Sequence, residues 1–273
     1  MERAHVIGWL DRYGRAWATG DSSLLVGLFR EDASYRSNVF MPPHLGHEGI
    51  RSYWEQATPT QKDVSVELGA PLIDREWVVA EWWTTTMRDT GEEAEITLPG
   101  VLLLRFSEGS CAELWEYWNL ADGIKEPFED WGQWDRSASS DGTTQAARRW
   151  SQGWADAWRR RDAEAVSLLY SEDARFRSHP FREPLQGREG ILAYARQAFG
   201  DEDRADPRFG APLTEGANAV VEYWTTMVEA GQEVTLAGCS LLCLDARGLT
   251  RSQRDYWHMT RGISPPPQGW GTR

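Results

Sequence analysis

Apolar residues recur along the first fifty positions at helical and then at strand spacing. Ile7, Leu10, Gly14 and Trp17 share one stripe of a helix over residues 7–18. Gly20-Asp21 interrupts it, Leu24, Leu25, Leu28 and Phe29 mark a second helix, and Glu31-Asp32 closes that one. Residues 33–40 alternate as a short strand. Gly46-His47-Glu48-Gly49-Ile50 opens a third helix that reaches about Gln56, with Glu48 in the first turn, where the helix dipole favours an acid. Period-two runs follow over residues 64–68, 77–87 and 95–106, punctuated by Gly91 and Pro99-Gly100, and a last strand covers 111–120. Helices first and strands after read as α+β, a curved antiparallel sheet wrapped against N-terminal helices.

The same order then occurs again. A shift of 141 positions aligns Trp17 with Trp158, Asp21 with Asp162, Glu31-Asp32-Ala33 with Glu172-Asp173-Ala174 and Glu48-Gly49-Ile50 with Glu189-Gly190-Ile191, with 15 identities in the 37 positions from Trp17 to Tyr53. The shift becomes 138 at Thr97/Thr235 and 139 at Tyr117-Trp118/Tyr256-Trp257. Such slips belong in loops, because one extra residue within a strand turns every side chain to the wrong face. A unit of this length is a whole domain with its own core. The expected organisation is a first domain over residues 1–134, a linker over 135–144 rich in Ser, Asp, Gly and Thr, and a second domain over 145–273.

Composition narrows the function classes. A net charge of -13 argues against nucleic acid, whose binding depends on basic patches. No apolar run has the length of a membrane span, and the amphipathic, charged start lacks a signal-peptide core, so a cytoplasmic location without membrane association is expected. Cys111, Cys239 and Cys243 do not correspond between the repeats and read as buried apolar residues. The five histidines form no paired metal motif, so no metal and no cofactor are expected. Sixteen tryptophans stand out. Trp17/Trp158, Trp83/Trp224, Trp118/Trp257 and Trp131/Trp270 recur at matching places, where bulky apolar faces with one polar edge build cores and pockets.

The segments ending in Trp17-Ala18-Thr19-Gly20-Asp21, LFREDASY and LYSEDARF, the Gly-x-Glu-Gly-Ile helix starts and the closing ELWEYWN and QRDYWHM strands together resemble the nuclear transport factor 2-like, or SnoaL-like, family. This resemblance implies two tandem cones, each with a sheet curled around an interior pocket. Its members include isomerases, cyclases, hydrolases and non-catalytic binding domains. Members dimerise through the outer sheet face, so the resemblance implies an intramolecular pseudo-dimer of the two copies and allows a further homodimer.

Arg254-Asp255-Tyr256-Trp257 is similar to the terminal-strand run of limonene epoxide hydrolase-like members, whose aspartate is the acid/base residue; Glu116 is the counterpart of Asp255 in the first copy. Alternation sets Asp255 on one face with Trp257, and Glu116 with Trp118, an apolar setting that raises a carboxyl pKa towards neutrality. The Arg and Asp of that family's middle strand are replaced by Trp82 and Thr84, and by Tyr223 and Thr225, so its water-activating pair is missing. Similarity to ketosteroid isomerase-like members makes Tyr13, eight residues before Asp21, an oxyanion-hole tyrosine, and places the base near Ser37-Asn38 or Ser178-His179. The first copy thus offers Tyr13, Tyr35, Ser37, Asn38, Trp82, Trp118 and Glu116; the second offers Ser178, His179, Tyr223, Ser240, Trp257 and Asp255. A histidine with an aspartate favours the second copy as the active one. The resemblance implies a cofactor-independent acid/base enzyme acting on an apolar small molecule such as a polyketide or terpenoid, or alternatively a carrier with aromatic-lined pockets. On the opposite sheet face, Arg36 is expected near Glu81 and Arg177 near Glu222, and Trp131 and Trp270 as lids or as packing.

Overall fold

Helix α1 (Arg3–Thr19) buries Val6, Trp9, Leu10, Tyr13, Ala16 and Trp17, whereas Ile7, expected on the inner stripe, is 43% exposed. The computed structural model describes residues 1–89, 93–135 and 142–272. Gly20 ends α1 at φ 65°, the left-handed conformation that glycine adopts freely. Asp21 then caps α2 (Ser22–Val26) by accepting the Ser23 and Leu24 N–H groups at 3.0 and 2.8 Å. The second helix is shorter than its leucines suggest. Phe29 already begins β1 (Phe29–Arg36), and Glu31 and Asp32 are exposed strand residues.

The first repeat continues with β2 (His44–Leu45), α3 (Gly46–Ala57), β3 (Gln61–Leu68), β4 (Leu72–Asp74), β5 (Trp77–Asp89), β6 (Glu93–Ser107), β7 (Ser110–Trp118) and β8 (Ala121–Asp122). The second contains α4 (Thr143–Arg160), α5 (Ala163–Ser167), β9 (Tyr170–Arg177), β10 (Leu185–Gln186), α6 (Gly187–Asp201), β11 (Glu202–Phe209), β12 (Leu213–Glu215), β13 (Asn218–Glu229), β14 (Gln232–Leu244) and β15 (Thr250–Arg261). The sheets run β2-β1-β7-β6-β5-β3 and β10-β9-β15-β14-β13-β11, and neither closes. Each is mixed rather than purely antiparallel, because β1 lies parallel to β7 and β9 parallel to β15. That parallel ladder brings an early strand beside the terminal strand.

Along β5 to β7 alternate residues divide cleanly. Val78, Ala80, Trp82, Leu102, Leu104 and Leu114 face the helices and join Ile50 and Trp54 in one core. Val79, Glu81, Trp83 and Tyr117 take the other face, where the chain after β8 returns as a strap. There the Trp83 indole N–H donates to Lys125 O at 2.8 Å, and the Trp131 ring meets Trp83 edge-on with centroids 6.0 Å apart. The second repeat uses the same device, with Trp224 donating to Ser264 O and packed against Trp270. Trp131 and Trp270 are therefore outer-face packing, and the lid role is excluded.

The expected Arg36–Glu81 pairing is also corrected. β7 and β6 separate their strands, so at ~4.8 Å per strand the two sites lie some three spacings apart. Arg36 instead donates to Met41 O and lies over the Trp115 ring at 4.7 Å, while Glu81 accepts the Gly132 N–H at 3.0 Å. β15 and β14 likewise separate Arg177 from Glu222, and Arg177 donates to Arg182 O.

The chain falls into two compact units, Met1–Gln133 and Trp134–Arg273. Of the segment expected as a linker, residues 136–141 lie outside the described residues. Asp135 is bonded to Asn218, and Thr143 and Thr144 already belong to α4.

Candidate functional site

Each sheet curls around a cavity floored by its inner face and roofed by its helices. In the first repeat, α1 contributes Tyr13, β1 contributes Tyr35, and β7 contributes Glu116. The Tyr13 hydroxyl donates to Glu116 Oε1 at 3.0 Å, the Tyr35 hydroxyl to the same oxygen at 2.7 Å, and the two hydroxyls are 3.0 Å apart. Both donors converge on Oε1, and Oε2 takes no hydrogen bond among the described residues. Burial pushes the Glu116 carboxyl from its ordinary 4.5 to about 7, against the pull of the Tyr35 and Tyr13 hydrogen bonds. The same burial, with the Glu116 charge, holds both phenols well above their ordinary value, so they stay protonated donors. The cavity is about 420 Å³ and is walled by Tyr35, Glu116, Trp17, Trp54, Trp82 and Trp118, with Gln61 and Arg88 at its margin.

The second repeat builds a different circuit around its carboxyl. The amide of Gln253, two residues before Asp255 on β15, donates to both carboxylate oxygens at 2.9 and 3.2 Å. Tyr170 donates to Gln253 Oε1 and accepts the Trp154 indole N–H at 3.0 Å. Burial raises Asp255 from 3.8 to about 7, opposed by hydrogen bonds from Gln253 and Ser240. The cavity here is about 260 Å³.

Comparison of the circuits shows an exchange of positions. Where the first repeat has Tyr13 and Tyr35, the second has Trp154 and Phe176; where the first has apolar Phe29 and Leu114, the second has Tyr170 and Gln253. Each inner carboxyl keeps side-chain donors, supplied from different elements. This agrees with the rule that a buried polar group must be hydrogen-bonded.

Of the other candidates, Trp82 and Trp118 line the first cavity, and Ser178, Tyr223, Ser240 and Trp257 the second. Trp118 and Trp257 are fixed by indole N–H bonds to Ser37 O and Ser178 O at 2.8 and 2.9 Å. His179 and Asn38 are corrected. Strand alternation turns Phe176 and Ser178 inward, so the next residue points away from the cavity. The chain then bends, and the Phe181 N–H donates to His179 Nδ1 at 3.3 Å just as the Phe40 N–H donates to Asn38 Oδ1 at 2.9 Å. Both side chains therefore cap the same turn, and neither belongs to the cavity lining. Burial, and next Arg182, lower the His179 pKa, with no contribution from Asp255. The expected His179–Asp255 proton pair is thus not assembled. Ser37 is likewise a framing residue, with its hydroxyl 3.3 Å from His44 Nε2. Tyr170 and Gln253 are the site residues that sequence reasoning missed; a polar residue at an inner alternation position was their only signal.

The SnoaL-like domain family matches residues 10–114 and 151–251, which together make up most of the chain. The chain belongs to this family. Solved structures similar to one SnoaL-like repeat include a protein with a ketosteroid isomerase-like fold from Catenulispora acidiphila DSM 44928, determined in complex with trimethylamine. It is 18% identical, covers 40% of this chain and 83% of its own, and has a TM-score of 0.37. TsrD from Streptomyces laurentii is 17% identical, with coverage of 44% and 91% and a TM-score of 0.38. No curated protein matches the chain. No helix among the described residues is long and apolar enough to cross a membrane, and no group of three His, Cys, Asp or Glu side chains among them is placed to hold a metal ion.

The raised carboxyl in the first SnoaL-like repeat has a measurable consequence for stability. Glu116 holds its proton more tightly folded than unfolded, so its contribution is intact below about pH 4.5, falls as pH rises towards 7 and is constant above. The slope within that window is about 1.4 kcal/mol per pH unit at most. Glu116→Gln removes the titration and keeps the shape. Its stability relative to the parent chain is expected to improve progressively between those pH values, measured by urea unfolding; a difference independent of pH would mean that the carboxyl is not perturbed.

Proposed function

We propose that the first repeat is a cofactor-independent acid/base enzyme that transfers a proton on an apolar small molecule of polyketide or terpenoid type, with isomerisation or cyclisation as the reaction class. The observation that carries this reading is the buried Glu116 carboxyl, held by two neutral phenols and by no cation among the described residues, on the wall of an aromatic cavity. A carboxylate locked in an ion pair is a poor base. One poised near neutrality takes up and returns protons with little penalty in either direction.

In this mechanism Tyr13 and Tyr35 hold Oε1 and fix the carboxylate plane. Oε2 removes a proton from a carbon beside a carbonyl, which leaves an enolate. Glu116 then returns the same proton, to a different carbon in an isomerisation or to the new alkoxide when the enolate carbon has closed a ring onto a second carbonyl. The cavity volume lies in the range of small-molecule sites, and its aromatic walls supply apolar contact.

A binding role suits the second repeat better, on a specific observation: the Gln253 amide engages both Asp255 oxygens, so neither is left free to act as a base. The test is incubation of the parent chain, Glu116→Gln and Asp255→Asn with extract of the source organism, followed by mass spectrometry of bound and released small molecules. The expected result is conversion by the parent and by Asp255→Asn, with unconverted substrate retained on Glu116→Gln. Conversion lost with Asp255→Asn and kept with Glu116→Gln would transfer the chemistry to the second repeat.

A further inference from the structure

The two cavities differ most at one pair of positions on their margins. In the first repeat β3 and β5 begin their ladder with Gln61 opposite Arg88; at the matching point of the second, β11 and β13 set Glu202 opposite Glu229. All four residues line their cavities. The local architecture is otherwise the same: the Trp17 indole N–H donates to Gln61 Oε1 at 2.9 Å, and the Trp158 indole N–H donates to Glu202 Oε2 at 2.6 Å. A neutral and a cationic residue have been exchanged for two acids within a conserved frame. Like charges directly opposite one another on a ladder are unfavourable, so the pairing gains nothing for the sheet itself.

The charges of the two cavities diverge accordingly. The first is lined by the charged residues Arg88 and Glu116, the second by Glu202, Glu229, Asp255 and Arg182. The rings of Trp154, Trp158, Tyr194, Tyr223 and Trp257 line the same cavity. Aromatic faces attract a cation through their quadrupole, and most strongly one that sheds water easily. Carboxylates lining such a box draw the cation in and compensate its charge.

We infer that the second repeat binds an organic ammonium ion, tertiary or quaternary, inside this aromatic box, with Glu202, Glu229 and Asp255 as the compensating carboxylates of its lining. This rests on the reading of the second repeat as a binding pocket and is independent of turnover at Glu116. A metal ion is a poor match, since no three His, Cys, Asp or Glu side chains among the described residues are grouped to replace its tightly held hydration shell. An alkylated ammonium, weakly hydrated and with apolar substituents, fits both the rings and a volume of about 260 Å³.

The test is calorimetric titration of the full chain with choline and with its neutral isostere, in which carbon replaces the ammonium nitrogen. Choline is expected to bind at least about tenfold more tightly. The double variant Glu202→Gln with Glu229→Arg installs the pair that the first repeat already carries, so it is compatible with the fold; it is expected to abolish that preference and keep binding of the neutral isostere. Equal affinity for the two probes would overturn the inference and leave the pocket reading standing. No binding of either would overturn both, and a choline preference that survives the double variant would remove the two glutamates from the site.

Discussion

Glu116→Gln is expected to lower turnover by about a thousandfold with substrate binding retained, the loss typical of removing a general acid/base. Glutamine keeps the volume and still accepts from both phenols at its carbonyl oxygen, so the Tyr13 and Tyr35 network persists while the group that moves the proton is gone. In the parent chain the rate is expected to rise with pH through about 7 as Glu116 ionises. The phenols set where that limb falls. Each hydrogen bond to the carboxylate lowers its pKa, so Tyr35→Phe and Tyr13→Phe should move the limb upward and lower the rate at neutral pH without eliminating it. A rate limb unmoved by either variant would separate the phenols from the ionising group. Full activity in Glu116→Gln would end the acid/base reading.

The chain being written twice made the fold legible. The loop slips between repeats marked where strands end, and alternation placed Glu116 and Asp255 on the inner faces beside Trp118 and Trp257. Their partners were hidden for two physical reasons. Tyr35 reaches Glu116 only because β1 runs parallel to β7, and an order of helices and strands does not state which strands become neighbours. The same ignorance of strand order produced the mistaken pairing of Arg36 with Glu81, which are on the correct face but have two strands between them. Asn38 and His179 failed for a different reason. The chain bends one residue after Ser37 and Ser178, so positions read as the continuation of a strand become turn caps. The exchange of Tyr13 and Tyr35 for Tyr170 and Gln253 was present in the repeats throughout. Reading it required knowing that all four positions face one carboxyl.

Gly238→Ala is expected to destabilise the second repeat by about 1–3 kcal/mol, the usual range for forcing a methyl group into a packed site. Gly238 lies opposite Tyr223 on the β13/β14 ladder, and the ring rests directly on it. A Cβ there would stand 2.3 Å from Tyr223 Cζ and 2.4 Å from its hydroxyl oxygen. The first repeat repeats the arrangement, with Gly100 opposite Trp82 and a Cβ 2.5 Å from the indole. In an exposed strand the same change is favourable, since glycine loses more backbone freedom on folding than alanine does. The two effects have opposite signs, so the sign of the measured change decides which governs the site. Tyr223 is bounded on one side by Phe209, at 6.2 Å between ring centroids, and on another by the cavity it lines. Relief of the clash therefore moves the ring into the cavity, and ligand binding should weaken together with stability. Urea unfolding and ligand titration of Gly238→Ala test both, and an alanine that stabilises the repeat would show that the ring does not rest on the glycine. Gly100→Ala extends the argument to catalysis, because Trp82 shares its cavity with Glu116: displacement of that indole should raise KM more than it lowers kcat, the reverse of the split expected for Glu116→Gln.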